Sequence, residues 1–221
     1  IQIMGGMGYS AETPMQTAWR DTRIARIYEG TNEINRMLSV GMLIKKAIKG
    51  QLDLIGPATA VGEELLGIPD FAIPDFSAPL SQEKHILKNL KKVFLMIAGA
   101  GVQKYGTELE EHQQLLLAVA DILIEVYMAE SAVLRAEKNI GVYGLEAQEH
   151  QVALSQLYLY QAVEKISTKG REAILGFAEG DEQKALLMGL KRFTKYMEYP
   201  NVIALRNKVA EKLTAENVYC I

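Results

Sequence analysis

Apolar positions recur at intervals of three and four residues over most of this chain, the spacing that lines them along one side of an α-helix. Ser81 is a candidate N-cap, and Ile86, Leu90, Val93 and Ile97 follow it in one stripe that fades near Gly99-Ala100-Gly101 and ends by Gly106. An interior glycine costs a helix about 1 kcal/mol, so the pair there predicts a bend or a close helix crossing. A second helix is predicted over 108–140, with Leu115, Val119, Ile122, Val126, Ala129 and Val133 facing inward and Gly141 as its stop. A third over 145–178 turns Leu159, Ala162, Val163 and Ile166 inward and ends at Gly180. Asp181 can cap a fourth, containing Leu186, Leu187, Leu190 and Phe193, which halts before Pro200; a short last helix fits 201–214. Long helices joined by short connections favour antiparallel neighbours. The fold class is therefore all-α, an antiparallel up-and-down helical bundle over 81–221, with neither strand-like alternation nor a repeat to compete.

The front of the chain is patterned differently. Pro14 starts a short helix reaching about Thr22, and Thr31 caps a longer one that Gly50 stops, with Ile34, Leu38, Met42 and Leu43 near one face. Pro69, Pro74 and Pro79 make 67–80 an extended stretch. The pattern thus divides the chain into 1–50, a 51–80 linker with a short helix, and the 81–221 bundle.

Composition narrows the classes. Of 221 residues, 49% are hydrophobic and 23% charged, which excludes wholesale disorder. With 24 basic against 27 acidic side chains, the net charge of −3 supplies no electrostatic drive toward nucleic acid. No stretch approaches the ~18 uncharged apolar residues of a membrane-spanning helix. Cys220, the single cysteine, can form neither an internal disulfide nor a multi-thiolate metal site, and reads as an incidental thiol. Ile1 is not an initiator methionine, and Ile1-Gln2-Ile3-Met4-Gly5-Gly6 has no leader pattern, so the sequence is read as the C-terminal part of a longer polypeptide.

Candidate chemistry concentrates in 2–36. Gln2-Ile3-Met4-Gly5-Gly6-Met7-Gly8-Tyr9 is followed by Arg20-Asp21-Thr22-Arg23-Ile24, then by Ile27-Tyr28-Glu29-Gly30-Thr31-Asn32-Glu33-Ile34 and Arg36. In this order the segments resemble the last third of an acyl-CoA dehydrogenase, a flavoenzyme that desaturates acyl-CoA thioesters between Cα and Cβ. The resemblance is strong over 1–49 and weaker to 221, where the helical extension is similar to that of the very-long-chain branch. Thr17 departs from the Lys or Arg common in the family. The resemblance implies that Glu29 is the catalytic base, that the thioester lies at Gly30, and that Thr31 and Glu33 sit beside FAD. It implies further that Gln2, Gly5 and Gly6 reach the FAD of a neighbouring subunit. From position alone, a glutamate at a helix mouth is ordinarily a solvated residue favoured by the helix dipole. Ile27 and Tyr28 are expected to limit water access to it. Implied partners are an acyl-CoA substrate and an electron-transfer flavoprotein, in a homodimer or larger homo-oligomer, with bacterial cytoplasm favoured over mitochondrial matrix. The 221 residues alone are expected neither to retain FAD nor to act.

Other signals are weaker. Gly6-Met7-Gly8-Tyr9-Ser10-Ala11 fits a dinucleotide pattern but lacks the strands that give it meaning. Gln82, Leu109 and Ala147 stand three before His85, His112 and His150, so no Glu-x-x-His di-metal motif exists and no metal site is expected. Lys84, Lys88, Lys91 and Lys92 read as a solvated face, or else as a peripheral contact with anionic membrane. Asp121 and Glu125 read as outer-side residues, or else as a polar contact between helices, Tyr158 and Tyr160 as packed or half-exposed, and Met37, Met42, Met96 and Met128 as core filler.

Overall fold

The computed structural model describes residues 1–67 and 74–218, so Pro69 and Cys220 lie outside the described residues. Within them the helices are α1 (Gly6–Tyr9), α2 (Met15–Ile24), α3 (Asn32–Ile48), α4 (Ile55–Leu66), α5 (Ser81–Tyr105), α6 (Gln113–Tyr143), α7 (Glu149–Phe177), α8 (Gly180–Phe193) and α9 (Val202–Glu216). There is no strand among the described residues, and no helix there is long and apolar enough to cross a membrane. Helices α5, α6 and α7 pack in succession through short connections, α8 returns onto α5 and α7, and α9 lies on α7. Helix α3 packs on α6, and α4 on α5 and α8.

The predicted stripes are the core. Leu90, Val93, Ile97, Ala129, Val133, Leu159 and Ala162 have no measurable exposure, and Val40 of α3 and Val61 of α4 join the same cluster. Glycines bring the helices together rather than bend them, because α5 runs unbroken past both. A Cβ on Gly99 would touch Ala58 of α4 at 3.4 Å, and one on Gly101 would stand 3.2 Å from Leu115 of α6.

Several boundary readings are corrected. Ser81 is the first residue of α5, not its cap: Leu80 holds the cap position in a left-handed turn, φ 59°, and the Ser81 hydroxyl donates to Ala78 O at 2.6 Å. Helix α6 continues through Gly141 to Tyr143 and stops at Gly144, whose φ of +83° cannot extend a helix. Residues 106–111, partly assigned to that helix, form a separate 3₁₀ turn. Glu179 rather than Asp181 occupies the α8 cap, and Asp181 instead pairs with Lys184 at 2.8 Å within the first turn. Asn201 does cap α9, accepting from Ala204 N at 3.1 Å.

Polar side chains also stitch the bundle. Of Lys84, Lys88, Lys91 and Lys92, three reach across to carboxylates: Lys84 to Glu137 at 2.6 Å, Lys91 to Glu130 at 2.5 Å, and Lys92 to Glu64 at 2.7 Å. The face is therefore a seam with α6 and α4 rather than a free stripe. Glu125 is likewise not an outer-side residue; it accepts from Lys165 at 2.8 Å and from the Tyr158 hydroxyl at 3.1 Å, both on α7. Burial foremost, and then the Glu125 carboxylate, push the Tyr158 phenol up to about 12. Gln82 clamps the connection before α9, donating to Glu198 O at 3.2 Å and accepting from Glu198 N at 3.0 Å.

His85 gives this bundle a pH response. Its imidazole contacts Asn89 at 3.1 Å and the Phe76 ring edge-on. Burial foremost, then Lys92 and Lys88, hold its pKa below the ordinary 6.5, so the folded chain prefers it neutral. Unfolding lets it take a proton at ordinary pH, and stability is lost as pH falls through the window below 6.5. The urea midpoint is expected to drop between about pH 7 and about pH 5.5, and His85→Gln to flatten that slope. An unchanged slope in the variant would assign the response to other groups.

Candidate active site at the head of the third helix

The chain reverses between α2 and α3. Ile27 N closes a turn onto Ile24 O at 2.9 Å, and Tyr28, Glu29 and Gly30 then lead into the helix. Glu29 has φ +56° and Gly30 φ +90°, both in the left-handed region. A non-glycine residue held there costs about 1–3 kcal/mol and persists only where its surroundings fix it. Here they do. Thr31 Oγ1 accepts from Ile34 N at 3.2 Å as the true cap of α3, Asn35 Nδ2 donates to Gly30 O at 3.0 Å, and Asn32 N donates to Arg26 O at 3.2 Å. A Cβ on Gly30 would stand 2.7 Å from Asn35 Oδ1, so position 30 excludes side chains by space as well as by φ. The Glu29 carboxylate is exposed and makes no hydrogen bond or ion pair among the described residues.

One turn into α3, Glu33 is also exposed. Its own backbone N–H foremost, with Thr31 and the guanidinium groups of Arg36 and Arg26 acting against desolvation, holds its carboxyl below the usual range. Arg36 is the hub behind this turn: Nε donates to Asn32 O at 3.3 Å, Nη2 lies 3.5 Å from Glu33, and Nη1 donates to Asp121 of α6 at 2.6 Å. Asp121 thus makes an interhelical polar contact and does not simply occupy the outer side of α6.

The other nominated residues lie on a separate arm. Gln2 belongs to a 3₁₀ turn over Gln2–Met4, Gly5 takes φ +56° and ψ −142°, a glycine conformation, and Gly6 opens α1. All three are exposed, and the Gln2 amide has no partner among the described residues. Of residues 1–30 only Gly8 is buried, against Ile1. The structure therefore gathers Glu29, Gly30, Thr31 and Glu33 at one helix head and puts Gln2, Gly5 and Gly6 on the segment that leads into α1, which packs on α2.

The apolar residues around this head are uncovered. Ile27 and Tyr28, expected to keep water away, are 51% and 54% exposed. On α3, Met37, Val40, Leu43 and Ala47 turn toward the bundle, while Ile34, Leu38 and Met42 of the predicted stripe point outward. Met42 and Met128 are accordingly not core filler, whereas Met96 is buried and Met37 partly so. Among the described residues, no three His, Cys, Asp or Glu side chains converge as metal ligands. Sequence reasoning missed Asn35 and Asp121; the signal for Asp121 was a charge interrupting a strongly apolar helix.

The chain as a whole is similar to known proteins. Two family models, both described as the C-terminal domain of acyl-CoA dehydrogenase, match residues 1–42 and 89–192. A probable acyl-CoA dehydrogenase of Bacillus subtilis is 37% identical over the whole chain, which spans 37% of that relative. The mitochondrial very long-chain specific acyl-CoA dehydrogenase of Rattus norvegicus is 26% identical over 89% of the chain and 32% of its own length. The short-chain specific enzyme of Sus scrofa matches 45 residues at 56% identity, 20% of the chain. A crystal structure of an acyl-CoA dehydrogenase complexed with FAD, from Bacillus anthracis, superposes with TM-score 0.93 at 37% identity, covering 100% of this chain and 37% of that one.

Proposed function

We propose, from the premise that this chain is homologous to the acyl-CoA dehydrogenases and carries their C-terminal domain, that it supplies the base of an FAD-dependent α,β-desaturation of acyl-CoA thioesters. The observation that carries this is Glu29 itself: a residue in a left-handed turn whose following residues are held by the Thr31 cap and the Asn35 amide, with a carboxylate that nothing among the described residues engages. Such a group is free to take a proton from a substrate laid against Gly30, where the backbone is bare.

In the reaction, a Glu29 oxygen forms an O–H bond to the α-hydrogen as the substrate Cα–H bond breaks. A general base held this way contributes about 10²–10⁴-fold. Bound FAD supplies the acceptor for the hydride that leaves Cβ. The residues nominated toward that cofactor fit it chemically. Gln2 offers an unused primary amide, Gly5 and Gly6 an exposed backbone with nothing within 4 Å of an added Cβ, and Thr31 a hydroxyl. The family resemblance assigns Gln2, Gly5 and Gly6 to the cofactor of a second subunit. The water exclusion that strengthens the base is assigned to surfaces outside these residues. A preference for long acyl chains is inferred from the similarity of the helical extension to the very-long-chain branch, with an electron-transfer flavoprotein reoxidising the enzyme.

Two preparations test this. The full-length protein is expected to purify yellow and to bleach with palmitoyl-CoA faster than with butanoyl-CoA. The 221-residue chain alone is expected to be colourless and inactive. A colourless full-length protein after reconstitution with FAD would refute the function, and a yellow 221-residue chain would refute the dependence on the rest.

A further inference from the structure

We infer that Asp121, far from the motif in sequence and on a helix of the C-terminal extension, is a positioning residue for the base, acting through Arg36. The inference rests on Glu29 being the base, as proposed above. The turn that presents Glu29 is built almost wholly from α3: the Thr31 cap, the Asn35 amide on Gly30 O, and the Asn32 N–H on Arg26 O. Wherever the head of α3 sits, Glu29 goes with it.

Toward the head of α3 the apolar attachment is Met37, partly buried against the core. Ile34 and Leu38 face outward, and the first fully buried residue of the helix is Val40, three turns beyond Glu29. Beside Met37 stands a polar attachment: Arg36 Nη1 to Asp121 Oδ1 at 2.6 Å, with both side chains less than a third exposed. The same guanidinium holds Asn32 O at 3.3 Å, adjoining the cap, so it grips the helix head and the extension at once. The other ion pair between α3 and the rest of the bundle among the described residues, Lys45 with Glu110, lies near the far end and is about two-thirds exposed on each side. A charged, partly buried pair holds geometry better than an exposed one. Asp121 therefore fixes the position and rotation of α3 where a displacement of an ångström moves the base most.

The test is made in full-length FAD-loaded enzyme with Asp121→Asn, Asp121→Glu, Arg36→Ala and the Arg36→Ala/Asp121→Asn double variant. A misplacement of about 1 Å can cost up to 10²-fold, so Asp121→Asn is expected to lower kcat about tenfold with KM within twofold. Flavin content and thermal midpoint stay near those of the parent, Asp121→Glu restores most of kcat, and the double variant is no slower than the worse single. Normal kcat in Asp121→Asn overturns the inference, as does a loss accompanied by flavin release or lowered thermal midpoint, or multiplicative effects in the double variant. Glu29→Gln assayed alongside separates the two levels. If it is inactive while Asp121→Asn is normal, only the positioning role fails; if it is active, the base assignment beneath it fails.

Discussion

Glu29→Gln in the full-length protein is expected to keep its flavin and lose about 10²–10⁴-fold in turnover. The substitution is isosteric, so it leaves the left-handed turn at φ +56° no more strained than before, and Thr31 and Asn35 still fix its ends. The side chain makes no hydrogen bond or ion pair within the described residues, so no folding contact is lost with its charge. On the proposed function, what disappears is the anionic oxygen that would accept the α-proton. Two readouts isolate that step: flavin bleaching by acyl-CoA under single turnover, and exchange of the substrate α-hydrogen with deuterated solvent. Both should collapse together while substrate binding persists. Near-normal bleaching would place the base elsewhere.

Ile97→Ala is expected to destabilise the helical bundle by about 2–5 kcal/mol. Ile97 has no exposed surface and sits where α5, α7 and α8 converge. A Cβ on Gly170 of α7 would stand 3.2 Å from Ile97 Cδ1 and 2.8 Å from Leu190 Cδ1, so these two side chains fill the space that the glycine leaves. Truncation to alanine opens a cavity that close-packed helices cannot fill by moving, since each is held by its own buried stripe. Urea unfolding of the 221-residue chain checks it, with Leu213→Ala on α9, 38% exposed, as a comparison expected to lose far less. Equal losses at the two positions would mean that α5, α7 and α8 do not share one cooperative core.

Much of the bundle was legible because burial is a periodic property. Ile86, Leu90, Val93 and Ile97 had to lie inward whatever packed on them, and the same holds for the stripes of α6, α7 and α8. Ends were harder to read. Gly141 and Gly144 are chemically identical, and only the backbone conformation at Gly144 ends the helix. Ser81 and Asp181 have capping side chains but sit one and two residues inside their helices. The outward stripe of α3 misled for a different reason: Ile34, Leu38 and Met42 have a helical period, but period does not say whether a partner belongs to the same chain. Asp121 and Glu125 were assigned to the surface because a charge in an apolar helix has no visible partner in linear order; Arg36 stands 85 residues from Asp121, and Lys165 40 from Glu125. The candidate site was legible as a motif. Its turn was not, because nothing in Tyr-Glu-Gly-Thr by itself announces that both central residues are left-handed.

Gly30 serves two masters that no single replacement can satisfy. Its missing side chain is what would let a thioester lie close to the main chain, and it is equally what leaves room for the Asn35 amide that steadies the reversal. Even alanine would intrude on Asn35 before it touched any substrate. The position therefore cannot serve as a dial for tuning which thioesters are accepted. On the proposed function, any selectivity of this protein among thioesters is set by residues other than Gly30.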